Sequence, residues 1–119
     1  MSPNIGEIMV EVVLYRDREG RPAGFQVDGH AGFDIYGKDI VCAAVSVLAQ
    51  TTVMGLEHYL PGLVERDVSP GRLVCRLKGG LTPEQAERAG VILGTMELGL
   101  EATAVSYAKY LRLRKEVQP

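Results

Sequence analysis

The stretch GHAGFDIYGKDIVCAA, residues 29–44, joins a predicted strand to a long apolar segment. It carries His30 and Cys42, one of two histidines and one of two cysteines in the chain, separated by a loop with glycines. From Asp39 onward no helix breaker occurs before Pro61, and the alanines and long apolar residues between them predict a helix buried on most sides. Two interpretations of Cys42 are open at this point: a nucleophile with His30 as its base, or a buried thiol after a turn.

Alternating sequences on both sides of this helix predict strands. EIMVEVVLYR, residues 7–16, places every second residue from Ile8 to Leu14 on one face, and AGFQVDGH, residues 23–30, continues as a second strand after a turn. Beyond the helix, LVERDV and RLVCRLKG flank Ser69-Pro70-Gly71, a turn signal. The chain therefore predicts two hairpins, one before the helix and one after it.

A second helix is predicted to begin at Thr82-Pro83-Glu84-Gln85, a capping box with proline at the first helical position. Apolar residues three and four apart extend this helix as far as Leu111. The predicted order is ββαββα, an α+β domain in which an antiparallel four-stranded sheet carries two helices on one face. At 119 residues the chain is expected to form a single domain, residues 1–119.

Composition excludes several classes of function. The net charge of −2 gives no support for binding nucleic acid by phosphate neutralisation. The basic segment KYLRLRK, residues 109–115, favours a helix C-terminus complemented by cations, with a weak RNA contact as the alternative. Gln50, Thr51 and Thr52 interrupt the longest apolar run, so no membrane contact is expected, and the N-terminus lacks the pattern of a signal peptide.

The two cysteines, Cys42 and Cys75, form neither a disulfide scaffold nor a metal-type spacing. A reducing cytoplasm, with no metal and no cofactor, is the expected setting. Cys75 shares a strand face with Leu73 and Leu77, which predicts an inert core thiol. Thiol redox exchange is the least favoured chemistry, because no resolving cysteine lies nearby.

Asp39 is the predicted N-cap of the first helix, which would place Cys42 in the first turn. The free N–H groups and positive end of a helix stabilise a thiolate there, and the same groups could hold an oxyanion. With His30 within reach, these are the parts of acyl transfer by cysteine. The alternative is that Asp39 caps the helix and Cys42 is merely buried.

The motif resembles the signature of the ribosomal-processing cysteine proteases, which has Gly-His-Ala after the first hairpin and a loop that ends in Tyr-Gly-x-Asp-Ile-Val-Cys-Ala. A serine follows four residues after the cysteine. The matching residues are Gly29, His30, Ala31, Tyr36, Gly37, Asp39, Ile40, Val41, Cys42, Ala43 and Ser46.

The resemblance implies an endopeptidase that removes the N-terminal extension of large-subunit ribosomal protein twenty-seven, with Cys42 as nucleophile and His30 as general base and acid. It also implies a homodimer, a hydrophobic groove for the peptide, and a glycine-rich loop over the site that includes Ala31, Gly32 and Phe33. The rival function is a non-catalytic, ribosome-associated binding module of the same fold.

Other residues are expected to support this site. Asp39 could orient His30 as well as cap, and Asp28 and Asp34 are equally possible partners of the imidazole. Ser46 lies one turn after Cys42, where it lines a pocket or bonds the preceding turn. Tyr36 and Gly37 are expected to form the hinge of the loop. His58 is expected to be a surface residue at the helix end.

Overall fold

The computed structural model describes residues 10–29 and 36–118, with residues 36–39 described by their backbone alone. This part of the chain is an α+β fold, as predicted. Its elements are β1 (Val10–Arg16), β2 (Pro22–Asp28), α1 (Tyr36–Tyr59), β3 (Val64–Ser69), β4 (Arg72–Leu77), α2 (Pro83–Ser106) and β5 (Leu111–Val117).

The sheet has five strands in the order β3-β4-β2-β1-β5. Both hairpins and the β2–β4 pair are antiparallel, but β5 runs parallel to β1, so the sheet is mixed. The prediction of a four-stranded antiparallel sheet is therefore wrong at this edge.

The extra strand comes from the segment that the sequence pattern assigned to the end of the second helix. Helix α2 ends at Ser106, and residues 107–110 turn the chain back before β5. Leu111 and Leu113 alternate with Arg112 and Arg114, a spacing of two that suits a strand with one face in the core. Arg112, Arg114 and Lys115 thus lie on an edge strand and Lys109 in the turn before it, and none of them is at a helix terminus.

The core lies between the sheet and both helices, which pack on one face of it as predicted. Phe25 pairs with Leu14 on one side and Cys75 on the other, and all three side chains are buried. The helices complete the same cluster with residues that include Val45 of α1 and Leu93 of α2. The predicted inward residues of β1 and β2 are confirmed, while Ile8 lies outside the described residues.

Helix α2 begins as the sequence predicts. The Thr82 hydroxyl accepts a hydrogen bond from the Gln85 N–H at 3.2 Å, and the Gln85 side chain accepts one from the Thr82 N–H at 2.9 Å. Pro83 occupies the first turn, where its missing N–H costs nothing. This capping box fixes the start of α2 by local chemistry alone.

Helix α2 is also tied to the β1–β5 side of the sheet by partly buried charges. Arg16 contacts both carboxylate oxygens of Glu97 at 2.6 Å, and Lys115 lies 3.3 Å from Glu97 and 3.6 Å from Glu101. Partial burial alone would raise the pKa of Glu97, but the hydrogen bonds and charges of Arg16 and Lys115 outweigh it and lower that pKa.

The first helix is more apolar than the sequence analysis allowed. Residues Ile40–Tyr59, with a mean hydropathy of 1.6, are long and apolar enough to cross a membrane by length and composition, despite the polar residues at 50–52. In this fold, one side of that helix supplies core residues such as Val41, Val45 and Leu56, and a core helix meets the same criterion. The absence of a membrane contact stays a prediction.

Candidate active site

Cys42 lies in the second turn of α1, because the helix begins at Tyr36 and not after Asp39. Its side chain is 9% exposed, at the margin of the core. An N–H this far into a helix belongs to the regular hydrogen-bond ladder, and the effect of the helix dipole fades beyond the first turn. The predicted stabilisation of a Cys42 thiolate by a free helix end is therefore wrong.

The earlier start of α1 also changes the places of three supporting residues. Asp39 is the fourth residue of the helix, so it lies within the first turn and is not the cap. Tyr36 and Gly37 are the first two residues of the helix and not a hinge before it. The sequence pattern missed this turn because Asp39 looks like a capping residue, although aspartate is also favourable within a first turn.

Gly29 fixes how the chain leaves β2. Its N–H donates to the carbonyl of Gly71 at 3.0 Å, and its φ of +89° is a conformation that favours glycine. The end of β2 is thereby held beside the β3–β4 turn, one residue before His30. His30 itself lies outside the described residues, as do Ala31, Gly32, Phe33 and Asp34.

A groove of about 310 Å³ runs along α1, between this helix and strands β3 and β4. Ser46, one turn after Cys42, lines this groove. Buried residues form its floor, among them Val27, Ala49 and Val53. Helix periodicity places Cys42, Ser46, Ala49 and Val53 on one stripe of α1, so the thiol and the groove share a helix face.

Two exposed apolar side chains line the groove on opposite sides. Met54 of α1 is 67% exposed and Val68 of β3 is 66% exposed. This groove is not evident from the sequence, since its walls come from elements that are distant in the sequence. The available signal was Val68, an apolar residue on a strand whose other side chains are mostly charged.

Charged residues at the groove are already paired. Arg66 lies 3.4 Å from Glu57, and Arg72 contacts Asp28 at 2.8 Å. The second carboxylate oxygen of Asp28 accepts a hydrogen bond from Gln26 at 2.7 Å. Strand alternation places Asp28 on the sheet face opposite Val27, away from the helices, and its pairing with His30 stays a prediction because His30 lies outside the described residues.

Cys75 is more deeply buried than Cys42. It is fully buried on β4, and burial raises the pKa of its thiol to about 12, with Glu57 raising it further and Arg66 opposing. The prediction that Cys75 is a core residue is confirmed, and its inertness stays a prediction. His58 is exposed in the last turn of α1, as predicted, where its ring meets Tyr59 edge-on at 4.7 Å.

No group of three or more His, Cys, Asp or Glu residues suited to a metal ion occurs within residues 10–29 and 36–118. The expected absence of metal and cofactor stays a prediction. The chemistry that the described residues offer is that of a thiol beside an apolar groove.

Known proteins are similar to this chain over most of its length. The family model described as Cysteine protease Prp matches residues 9–112. Ribosomal processing cysteine protease Prp of Bacillus subtilis (strain 168) is 26% identical over 112 residues, which cover 92% of this chain and 99% of that protein.

Solved structures share the fold. A Streptococcus mutans protein superposes with a TM-score of 0.77 at 26% identity, over 97% of this chain and 99% of its own. The ribosomal processing protease Prp from S. aureus, in complex with a covalently linked product peptide, gives a TM-score of 0.75 at 25% identity, over 91% of this chain and 100% of its own.

The fold and the site together define a small α+β cysteine protease. Because the family model spans most of the sequence, the chain belongs to the cysteine protease Prp family. The resemblance of residues 29–46 to the ribosomal-processing motif is confirmed by this match.

Proposed function

We propose that this protein is a cytoplasmic endopeptidase of ribosome maturation. It removes the N-terminal extension of large-subunit ribosomal protein twenty-seven, with Cys42 as nucleophile and His30 as general base and acid. The family match supports the reaction class, and the Bacillus subtilis relative named for ribosomal processing supports a ribosomal substrate.

The contrast between the two thiols carries the assignment of Cys42. Cys75 is fully buried with a raised pKa, whereas Cys42, which is 9% exposed, lies at the margin of the core on the helix stripe that borders the groove. A nucleophilic cysteine must be accessible to its substrate and must form a thiolate. Burial of Cys75 opposes both the access and the ionisation. The S. aureus relative with a covalently linked product peptide supports a covalent intermediate in this family.

The reaction proceeds in two steps. His30 takes the proton of the Cys42 thiol, the sulfur attacks the scissile carbonyl carbon, the C–N bond breaks, and His30 gives that proton to the leaving amine. The extension is then held as a thioester on Cys42. Water attacks this thioester while His30 takes a proton from it, the C–S bond breaks, and His30 returns the proton to the Cys42 sulfur. The extension leaves as a carboxylic acid, which ionises in water.

The groove along α1 suits the apolar residues that the family resemblance places before the cut. Its floor of buried aliphatic side chains offers apolar contact, and Ser46 joins it to the Cys42 end of the helix. Burial of an apolar side chain from the peptide stabilises the complex in proportion to the area removed from water.

The protein acts as a homodimer in this proposal. Large apolar side chains are exposed on the outer surface of both helices, including Val47, Tyr59 and Val91, each more than 60% exposed. These three residues line one apolar depression between α1 and α2, and a second copy of the chain would remove them from water.

Incubation with the extended ribosomal protein, followed by intact mass measurement, tests this function. We expect one cleavage that releases the N-terminal extension and leaves the rest of the ribosomal protein intact. An unchanged mass with the active protein, under conditions where Cys42 is reduced, would contradict it and favour the non-catalytic binding module.

A further inference from the structure

Strand β3 is an edge of the sheet, and half of its backbone groups face outward. The carbonyl of Leu63 accepts from the Lys78 N–H at 2.9 Å, which identifies residues 63 and 78 as a hydrogen-bonded pair. Such pairs alternate along an antiparallel ladder, so residues 65, 67 and 69 also turn towards β4. Val64, Arg66 and Val68 therefore present their N–H and C=O groups at the free edge.

The same residues send their side chains to the helix side of the sheet. Val68 and Arg66 both line the groove, opposite Gln50 and Met54 of α1. A free strand edge and an apolar groove thus run side by side. This combination fits an extended peptide, whose backbone bonds the edge while alternate side chains enter the groove.

The groove also has a suitable length and position. Ser46 and Met54 are eight positions apart on α1, which spans roughly 12 Å, or about four residues of extended peptide. One further turn leads from Ser46 to Cys42. A peptide along this groove would bring its next residues to the Cys42 end of the helix.

The opposite edge of the sheet lacks this combination. On β5 the side chains directed at the helices are the buried Leu111, the half-buried Leu113 and Lys115, and Lys115 is paired with Glu97 and Glu101. The exposed valine of that edge, Val117, is 64% exposed and lines none of the grooves described above.

We propose that the substrate peptide binds as an added strand on the edge of β3, paired with the backbone of Arg66 and Val68. Every second side chain of the peptide enters the groove along α1, which Met54 and Val68 line on opposite sides. The inference rests on the proposed function, since it names how that substrate is held. Side chains of the other parity point away from the groove, so specificity alternates along the peptide.

Proline substitution tests the edge together with the Val68 contact, with the other free edge of the sheet as control. Val68→Pro removes an N–H that points away from β4, so the hairpin keeps its ladder. Val117→Pro is its counterpart on β5, because Gln118 donates to Arg16 and residue 117 therefore faces the other free edge. Both variants are made in the Cys42→Ala protein, and the probe is a fluorescein-labelled peptide of the ribosomal N-terminal extension.

We expect Val68→Pro to weaken peptide binding by at least tenfold in fluorescence anisotropy, with Val117→Pro within twofold of the parent. Equal affinity of the two variants would overturn the inference, as would a parent that binds no peptide. Cleavage of the same peptide by the protein with Cys42 intact is measured separately. Turnover combined with equal affinities would refute the strand edge while the proposed function stands.

Peptides with single backbone N-methyl groups provide a second measurement that leaves the protein unchanged. Removal of N–H groups that face β3 weakens binding, and removal of those that face solvent does not, so losses should alternate along the peptide. Uniform losses would contradict the added strand. A change from dimer to monomer in Val68→Pro without loss of peptide affinity would instead assign this edge to the subunit contact.

Discussion

Cys75 lies on the inner face of the sheet, paired with Phe25 of the central strand and fully buried, whereas Cys42 reaches the margin of the core. With a pKa of about 12, only on the order of 10⁻⁵ to 10⁻⁴ of Cys75 is thiolate near neutral pH. We therefore expect iodoacetamide to modify Cys42 at least tenfold faster than Cys75 in the folded protein. Peptide mass mapping over time measures both rates, and faster loss of Cys75 would contradict the assignment.

The sequence was sufficient to predict the burial of Cys75 but not the surroundings of Cys42. Alternation along β4 predicted the burial of Cys75, because a strand face follows from local spacing. The N-cap at Asp39 was wrong, since aspartate suits both a cap and a first turn and local sequence does not separate the two. The groove could not be predicted, because Met54 and Val68 meet only through tertiary packing.

Helix α2 and strand β5 depend on the partly buried carboxylate of Glu97, which is 13% exposed between Arg16 and Lys115. Its lowered pKa means that the pairing stabilises the fold above the ordinary glutamate value of 4.5, and that this stabilisation is lost as pH falls through the folded-state pKa. Glu97→Gln should lower the free energy of unfolding by about 2 kcal/mol at pH 7.

The difference in free energy of unfolding between Glu97→Gln and the parent should shrink below pH 4.5, where the parent carboxylate also takes up a proton. Urea denaturation at pH 7 and at acidic pH measures this, with Glu87→Gln on the exposed side of the same helix as control. A difference that is equal at both pH values would show that the charge of Glu97 contributes nothing.

Helix α2 and the second hairpin could be predicted because local sequence signals mark them. Strand β5 could not, because it forms by pairing with a strand far away in the sequence. The capping box fixed the start of α2, and the turn at Pro70-Gly71 fixed the second hairpin. The spacing of apolar residues in β5 is compatible with a strand or with a continued helix. The strand pairs Leu111 with Val10, a contact that spans nearly the whole chain. That parallel contact, which no local pattern encodes, decides where α2 ends.

Apolar side chains are exposed on the helix surface of the molecule, and their burial favours association of two copies of the chain. We expect light scattering at micromolar concentration to give about twice the 12.9 kDa mass of the chain. Val91→Glu should shift the protein towards the monomer, because a charge would be buried in the contact. Val117→Glu, at a similarly exposed valine on β5, should leave the dimer intact. A monomeric parent would contradict the proposed homodimer.

Cleavage of the extended ribosomal protein by the two cysteine variants tests the central claim most directly. Cys42→Ala should fold, with a melting temperature close to that of the parent, and show no cleavage by intact mass, because the attacking sulfur is gone. Cys75→Ala should keep its activity while losing about 1 kcal/mol or somewhat more of stability, through a small cavity in the core. Full cleavage by Cys42→Ala, or its loss in a stable Cys75→Ala, would contradict the account.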